Sequence, residues 1–248
     1  MVITDLACGG RWMSLRLGGR EWLWSRPDPR RAGVRPGDGF VDAGGLEECV
    51  PTVRGTPDHG AAWSRPWRRV GPDEVAECGD FVLRRRLCVD AGVLASYRLE
   101  AVPGYRFVWA AHALLDVSPR ATVQLPLGAP TRIYSDDGTG YRTDAWPAGG
   151  LDRLGPDDGT AVGAVVVGAP AVRVVDGQCL ELRLHTDQPT AVALWRNLRG
   201  WPADQPYRSI GVEPMLGATF DLATAGPSDA VTVPASGSVT WDLELSAS

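Results

Sequence analysis

The feature that most constrains this chain is a succession of short strand-like segments, each closed by glycine, proline or aspartate. The clearest occupy residues 81–89, 94–102, 105–117 and 121–127, followed by 161–167, 171–175, 179–185, 191–197 and 239–245. Runs of this length that end in turn residues are typical of β-strands. Because they follow one another at short intervals, they predict an antiparallel meander rather than strands joined by helices.

The composition favours the same fold class. Glycine and proline account for 30 and 20 of the 248 residues, which is too many for long helices but suits tight turns between strands. We find no extended helical periodicity and no internal repeat. The sequence therefore predicts an all-β fold in one domain over residues 1–248, with an irregular connection at 25–39 and loops at 134–140 and 147–160.

Charge and cysteine content argue against several classes of protein. A formal net charge of −5 without a block of Lys or Arg disfavours a nucleic-acid partner. Five scattered cysteines without a C-x-x-C pair indicate reduced thiols in a cytoplasmic protein. The sequence shows no secretory leader, no membrane span, no phosphate loop, no nucleophile elbow and no zinc helix. We therefore expect no membrane partner, no cofactor and no metal; the oligomeric state is not predicted.

His112 lies in one of the predicted strands. Alternation places it on the face that carries Val108 and Ala110, opposite the face of Trp109 and Ala111. A histidine among apolar neighbours is either a core side chain bonded to a backbone carbonyl or an imidazole that faces a pocket. In a pocket it could transfer protons near neutral pH.

His59 lies in the turn-like run Pro-Asp-His-Gly at residues 57–60, where a solvated surface histidine is the simplest interpretation. The nearby Trp63 and Trp67 favour a second interpretation. Aromatic faces beside hydrogen-bonding side chains suit a pyranose ring, which presents both C–H surface and hydroxyl groups, although tryptophans are more often core residues.

Glu213 is a lone carboxylate in the apolar run 210–217, held extended by the proline that follows it. If it is buried, its pKa should rise toward that of a general base, whereas most glutamates are simply solvated. Glu47 and Glu48 are adjacent and point in opposite directions in a strand, so at most one of them faces a pocket. His185 is excluded from the site because leucines take the inward face of its strand.

Five short segments, taken in order, resemble the aldose 1-epimerase family and particularly its more divergent galactose mutarotase-like members. The segments are residues 9–15 (Gly-Gly-Arg-Trp-Met-Ser-Leu), 44–52 (Gly-Gly-Leu-Glu-Glu-Cys-Val-Pro-Thr), 58–60 (Asp-His-Gly), 109–112 (Trp-Ala-Ala-His) and 211–214 (Gly-Val-Glu-Pro). The second is similar to the family's G-G-W-D-E-C-F-P-T run. The set is spread over most of the chain, and its order makes it fairly specific.

The resemblance implies a large antiparallel β-sandwich, the galactose mutarotase-like supersandwich, that binds a monosaccharide. It implies an isomerase of carbohydrate metabolism in which Glu213 is the general base, His112 the general acid and His59 a sugar contact. Further candidate contacts to the sugar are Glu48, Arg54, Trp63, Arg65, Trp67 and Trp195, and a cation such as Arg196 would suit a sugar phosphate.

Two other functions stay open at this point. The same fold could serve as a carbohydrate-binding or sensing module without turnover, which would keep its sugar affinity when His112 or Glu213 is lost. Another carbohydrate-active enzyme on this fold would use a different acid and base, such as Asp187 or Glu48.

Overall fold

The structure of the protein, a computed structural model, describes residues 1–135 and 140–248. The first half of the described chain forms β1 (Val2–Asp5), β2 (Arg11–Leu17), β3 (Arg20–Glu21), β4 (Leu46–Cys49), β5 (Arg68–Val70), β6 (Asp73–Glu77), β7 (Phe81–Val89), β8 (Val93–Ala101), β9 (Arg106–Phe107) and β10 (Trp109–Leu115). The second half forms β11 (Thr122–Gln124), β12 (Pro130–Tyr134), β13 (Tyr141–Ala145), β14 (Ala161–Val167), β15 (Ala171–Asp176), β16 (Gln178–His185), β17 (Thr190–Leu198), β18 (Arg208–Leu216), β19 (Val231–Thr232) and β20 (Ser238–Ala247). Short 3-10 helices lie at Pro29–Gly33, Ala148–Gly150 and Leu222–Thr224.

These strands build two large antiparallel sheets. The first sheet has the order β1-β2-β4-β10-β18-β17-β14-β12-β13, with β3 paired to β2. The second sheet has the order β11-β15-β16-β20-β8-β7-β6-β5, and β9 pairs separately with β19. The prediction of an all-β antiparallel sandwich is confirmed.

The core between the sheets is formed by the inward side chains of alternating strands. Trp109 of β10 in the first sheet and Trp241 of β20 in the second have ring centroids 5.2 Å apart. Tyr97 of β8 stacks on Trp241 at 5.2 Å. Because Trp109 points into this core, alternation directs the side chain of His112 to the other face of the first sheet, as the sequence predicted. We call that other face the outer face.

Most predicted strands are found within one or two residues of their predicted bounds, and residues 81–89 and 161–167 match exactly. The predicted strand 105–117 is instead two strands, because the amide of Val108 donates to the carbonyl of Pro51 and interrupts the ladder. The sequence did not identify β18 as a full strand. Eight of its nine residues are buried, so it shows no alternation of polar and apolar residues.

The predicted irregular connection at 25–39 contains one short helix and otherwise has no regular structure. Of the loop predicted at 134–140, residues 136–139 lie outside the described residues, and its flanks end β12 and begin β13. The loop predicted at 147–160 includes the helix Ala148–Gly150. Across the described part of the chain, no helix has the length and apolar character needed to cross a membrane.

Candidate active site

Three charged side chains form a row across the middle of the outer face. Glu47 on β4 is the cross-strand partner of His112 on β10. On the other side of His112, the register of β10 with β18 runs from Ala110 opposite Met215 to Leu114 opposite Gly211. This register places Glu213 directly opposite His112, because side chains paired across an antiparallel ladder lie on the same face.

His112 and Glu213 form a buried pair. Nδ1 of His112 lies 2.9 Å from Oε1 of Glu213, and the two residues are only 6% and 2% exposed. Burial lowers the pKa of His112, but the negative charge of Glu213 outweighs it and raises that pKa to about 9. The imidazole is therefore protonated at neutral pH, as a general acid must be.

Part of the hydrogen-bonding capacity of this pair is unused. Oε2 of Glu213 is buried and has no hydrogen-bond partner among the described residues, and the contact at Nδ1 of His112 lacks the alignment of a hydrogen bond. Buried polar atoms are nearly always paired, because leaving one unpaired costs about 1–3 kcal/mol. Oε2 of Glu213 can therefore accept one further hydrogen bond.

His59 approaches the pair from the loop that follows β4. Its ring centroid lies 5.2 Å from that of His112, and its backbone φ of 55° is unusual for a residue with a side chain. Nδ1 of His59 donates to Oδ1 of Asp58 at 2.8 Å. Burial and the charge of His112 together lower the pKa of His59. A neutral His59 whose Nδ1 is engaged offers Nε2 to a ligand.

Phe40 covers both histidines. Its ring stacks on His59 with centroids 3.6 Å apart and stands edge-on to His112 at 5.6 Å. The carboxylate of Asp58 accepts a hydrogen bond from the amide of Phe40 at 3.0 Å. Trp63 packs edge-on to Phe40 at 4.9 Å and donates from Nε1 to the carbonyl of Asp58 at 2.9 Å.

Sequence reasoning missed Phe40 and its neighbour Asp42, whose negative charge contributes to the raised pKa of His112. Both lie just beyond the connection that its composition marked as irregular. The available signal was a single phenylalanine in an otherwise polar and glycine-rich stretch, residues 35–45.

Arg31 anchors this irregular segment to the sheet. It is only 5% exposed and donates from Nε and Nη2 to the two oxygens of Glu47, each at 3.0 Å. Nη2 also donates to the carbonyls of Cys8 and Trp63. Burial raises the pKa of Glu47, and the charge of Arg31 opposes that rise. A two-pronged guanidinium contact of this kind fixes the position of both partners.

Residues with small side chains or none lie around Glu213 on its own strand and on the neighbouring strands. Ala193 is paired with Glu213, and Trp195 is paired with Gly211 on one side and Gly163 on the other. A Cβ atom on Gly211 would lie 2.7 Å from Oε1 of Glu213, and one on Gly163 would lie 3.3 Å from the ring of Phe220. The rings of Trp195 and Phe220 therefore border a floor made of residues without bulk.

The structure brings together four of the predicted site residues on the outer face, namely His59, Trp63, His112 and Glu213, and Trp195 lies beside Gly211 on the same face. Of the two adjacent carboxylates, Glu47 lies on the outer face. Glu48 points into the core instead, where it is bound by Arg85, Tyr97 and Trp109.

Three other predicted contacts do not meet at the pair. Trp67 lies in the core, with the guanidinium of Arg85 4.6 Å from its ring centroid. Arg65 acts electrostatically on Cys78, away from His112. Arg54 is exposed, and its charge contributes to lowering the pKa of Asp58, so it lies at the rim of the site.

The remaining candidate, Arg196, binds Asp158 at 3.3 Å. His185, which the sequence excluded from the site, pairs with Glu244 at 2.8 Å on the exposed side of the second sheet. In residues 1–135 and 140–248, no group of three or more His, Cys, Asp or Glu side chains is arranged to hold a metal ion.

The sequence matches no protein-family profile and no curated protein. The structure, however, is similar to several solved structures. A candidate aldose 1-epimerase from Escherichia coli K12 superposes with a TM-score of 0.76 at 13% identity, over 100% of this chain and 95% of that one. The Slr1438 protein from Synechocystis gives 0.73 at 15% identity, over 100% and 91%.

A galactose 1-epimerase from Lactobacillus acidophilus gives a TM-score of 0.60 at 12% identity, over 98% of this chain and 89% of that one. Identities this low establish similarity of fold and leave the chemistry to be argued from the site. This chain has the fold of the aldose 1-epimerase and galactose mutarotase structures.

Proposed function

We propose that the protein is an aldose 1-epimerase, a mutarotase that interconverts the α and β anomers of a hexose. The proposal rests on the buried pair of His112 and Glu213, with its 2.9 Å contact and the unpaired Oε2 of Glu213. The fold supports it, because a galactose 1-epimerase has the same one.

The reaction needs one base and one acid at neighbouring atoms. Glu213 takes the proton from the anomeric hydroxyl O1, and His112 donates a proton to the ring oxygen O5 as the C1–O5 bond breaks. After rotation about C1–C2, the reverse proton transfers close the ring and give the other anomer. Because O1 and O5 share the carbon C1, an acid and a base in contact can serve both, and each group contributes about 10²- to 10⁴-fold in rate.

The surroundings of the pair suit this role. His59 offers Nε2 to a sugar hydroxyl, and Gly163, Ala193 and Gly211 add no large side chain to the floor around Glu213. Since Phe40 and the sheet leave His112 and Glu213 almost unexposed, the sugar must displace the ring of Phe40 outward as it enters. In the closed site, exclusion of water strengthens the interactions of both charged groups.

The substrate is a monosaccharide or its phosphate. Arg54 is exposed at the rim beside Asp58 and is the candidate partner for a phosphate group. A hexose 6-phosphate therefore belongs among the tested substrates.

The test is the approach to anomeric equilibrium of freshly dissolved α-glucose, α-galactose and glucose 6-phosphate, followed by NMR. We expect the wild type to accelerate equilibration of at least one of them, and Glu213→Gln and His112→Asn to lose at least 100-fold of that acceleration.

The exposed pair of His185 and Glu244 provides matched controls, because its imidazole and carboxylate also lie 2.8 Å apart. His185→Asn and Glu244→Gln should retain the wild-type rate. If the wild type binds a sugar without accelerating equilibration, and binding survives in Glu213→Gln, the protein is a carbohydrate-binding module and the proposed activity is wrong.

A further inference from the structure

The strand β13 (Tyr141–Ala145) ends the first sheet with one side unpaired. Among the described residues it pairs with β12 alone, and all five of its residues are exposed. The other terminal strands of the two large sheets, β1, β5 and β11, have four, three and three residues. β13 is therefore the longest terminal strand of the described sheets, and an open edge of this kind is a template for another strand.

The backbone of β13 alternates between groups that bond β12 and groups that point outward. The amide of Trp146, directly after β13, donates to the carbonyl of Ala129, directly before β12. Because hydrogen-bonded positions recur at every second residue of an antiparallel ladder, the even-numbered residues of β13 bond β12, and the odd-numbered ones direct their N–H and C=O groups away from it. The amide of Ala145 agrees with this alternation, since it donates to the carboxylate of Asp144 at 2.8 Å.

The side chains of β13 are complementary to those of the same strand running in the opposite direction. In an antiparallel pair centred on Thr143, Arg142 lies opposite Asp144 of the second copy, and Tyr141 lies opposite Ala145 of the second copy. The two copies of Thr143 lie opposite each other. Opposite charges and paired threonines are favourable cross-strand neighbours, and alanine leaves room for the tyrosine ring.

The charges of β13 also select this register over its neighbours. A pair centred on Arg142 would place two arginines opposite each other, and a pair centred on Asp144 would place two aspartates there. Like charges directly opposite each other are destabilising. Within one chain the two side chains lie 2.9 Å apart and are 62% and 40% exposed, so both charges are available at the surface.

We infer that β13 is the interface of a homodimer, in which the β13 strands of two copies pair antiparallel about a two-fold axis at Thr143. The pairing joins the first sheets of both copies into one sheet, and it closes at two copies because the interface is isologous. A pair of five-residue strands is a small interface, so the dimer is weak and reversible. The inference does not depend on the proposed activity, because the proposed catalytic pair lies on β10 and β18, within the sheet.

The test measures the dissociation constant of the dimer by sedimentation equilibrium of the full chain, from about 1 µM to about 1 mM, the range of weak association. We expect the wild type to show a monomer–dimer equilibrium in this range. Arg142→Asp and Asp144→Arg each set like charges opposite one another, and each should weaken the dimer at least about 10-fold. Thr143→Pro removes an outward N–H group without removing a bond to β12, and it should weaken the dimer as well.

The two charge variants provide a rescue that a folding defect cannot imitate. When Arg142→Asp is mixed with Asp144→Arg, opposite charges meet at both positions, so the two variants should associate with each other more tightly than either does with itself. The double variant Arg142→Asp/Asp144→Arg exchanges both charges and keeps every pair complementary. It should return the dissociation constant to within about 3-fold of the wild-type value.

Arg183→Asp is the matched control. Arg183 and Glu181 also form a partly exposed pair two residues apart, at 2.6 Å, but they lie on β16, which is paired on both sides. This variant should leave the dissociation constant unchanged. A monomer at every concentration would overturn the inference. So would a dimer that withstands Arg142→Asp and Thr143→Pro, or charge variants that fail to associate when mixed.

Discussion

Glu47 and Glu48 are consecutive residues of β4, yet their carboxylates lie in regions of opposite character. Glu48 faces the core, where Oε1 accepts from Arg85 and from the hydroxyl of Tyr97, and Oε2 accepts from Trp109. All of these groups are buried. Every oxygen of this inner carboxylate is paired, which is the arrangement that a buried charge requires for stability.

Glu47 faces the outer side, in the row with His112 and Glu213. Here Arg31 satisfies Glu47, but Oε2 of Glu213 stays unpaired among the described residues. The two sides of one sheet thus differ in how they hold buried charge. The inner network pairs both oxygens of Glu48, whereas Oε2 of Glu213 has no partner among the described residues, and the proposed function assigns that oxygen to the sugar.

The strongest way to break the inner network is to remove its cation. Arg85→Met leaves Glu48 buried without a cation and leaves Glu74 with Arg69 alone, and we expect a loss of about 3–5 kcal/mol in the free energy of unfolding, measured by urea denaturation. The neighbouring Arg86→Met removes an exposed pair with Asp73 and should cost far less than Arg85→Met. Equal losses in the two variants would show that the inner network adds nothing to stability.

The outer pair should make stability depend on pH in a defined window. His112 has a pKa raised from 6.5 to about 9 in the folded state, so its contribution is fully present below pH 6.5 and is lost as the pH rises through 9. We expect the wild type to lose roughly 1–3 kcal/mol more than Glu213→Gln between pH 6.5 and 9.5, measured by urea denaturation at each pH.

The Glu213→Gln variant is the necessary reference when stability is measured against pH. Other groups also affect stability in this window. Glu47, which faces His112, has a pKa raised by burial, and the thiol of Cys49 ionises there only in the unfolded chain because burial raises its pKa in the folded protein. Asp42 and His59 also interact electrostatically with His112. Subtracting the variant isolates the effect of Glu213. Parallel curves for the two proteins would mean that Glu213 does not hold the proton on His112.

A substitution at Gly211 can displace the carboxylate of Glu213 without removing that carboxylate. A Cβ atom in Gly211→Ala would lie 2.7 Å from Oε1 of Glu213, at the end of a flexible side chain that can move, and 3.0 Å from Cβ of Trp195, which is a tight contact. A small misplacement of a reacting group can cost up to about 100-fold in rate. We expect a loss of about 10- to 100-fold in the NMR assay of mutarotation, with little change in unfolding free energy.

Gly163→Ala is the control for this prediction. Its Cβ atom would lie 3.3 Å from the ring of Phe220, on the same floor but away from Glu213. It should reduce the rate less than Gly211→Ala does. An equal reduction by both variants would indicate that added bulk anywhere on this floor, rather than the position of the carboxylate, limits the reaction.

The sequence predicted the strands, and the face of the strand on which a side chain lies, better than it predicted which residues contact one another. Alternation along β10 correctly placed His112 opposite the core face of Trp109, because one face of a strand carries every second residue. Alternation also showed that Glu47 and Glu48 must diverge. It could not show which of them shares a face with His112, because that depends on the register between β4 and β10.

Sequence reasoning could not predict which residues cover the site. Phe40 and Asp42 lie between the irregular connection and β4, where no periodicity directs a side chain. Their positions are set by long-range contacts, such as the two-pronged bond of Arg31 to Glu47 and the hydrogen bond of the Phe40 amide to Asp58. Contacts of this kind leave no local pattern in the sequence.

The smallest effect is expected at the support of His59. Asp58→Asn weakens the hydrogen bond to Nδ1 and removes the charge that favours it, so His59 is held less firmly. Loss of one such interaction is worth about 0.5–1.5 kcal/mol, so we expect KM for the sugar to rise about 3- to 10-fold with kcat nearly unchanged, measured by initial rates of mutarotation. Asp73→Asn, which removes a charge from an exposed pair on the second sheet, should change neither constant. A fall in kcat without a change in KM would instead place His59 in the proton transfers, because a residue that only holds the sugar acts equally on the ground state and the transition state.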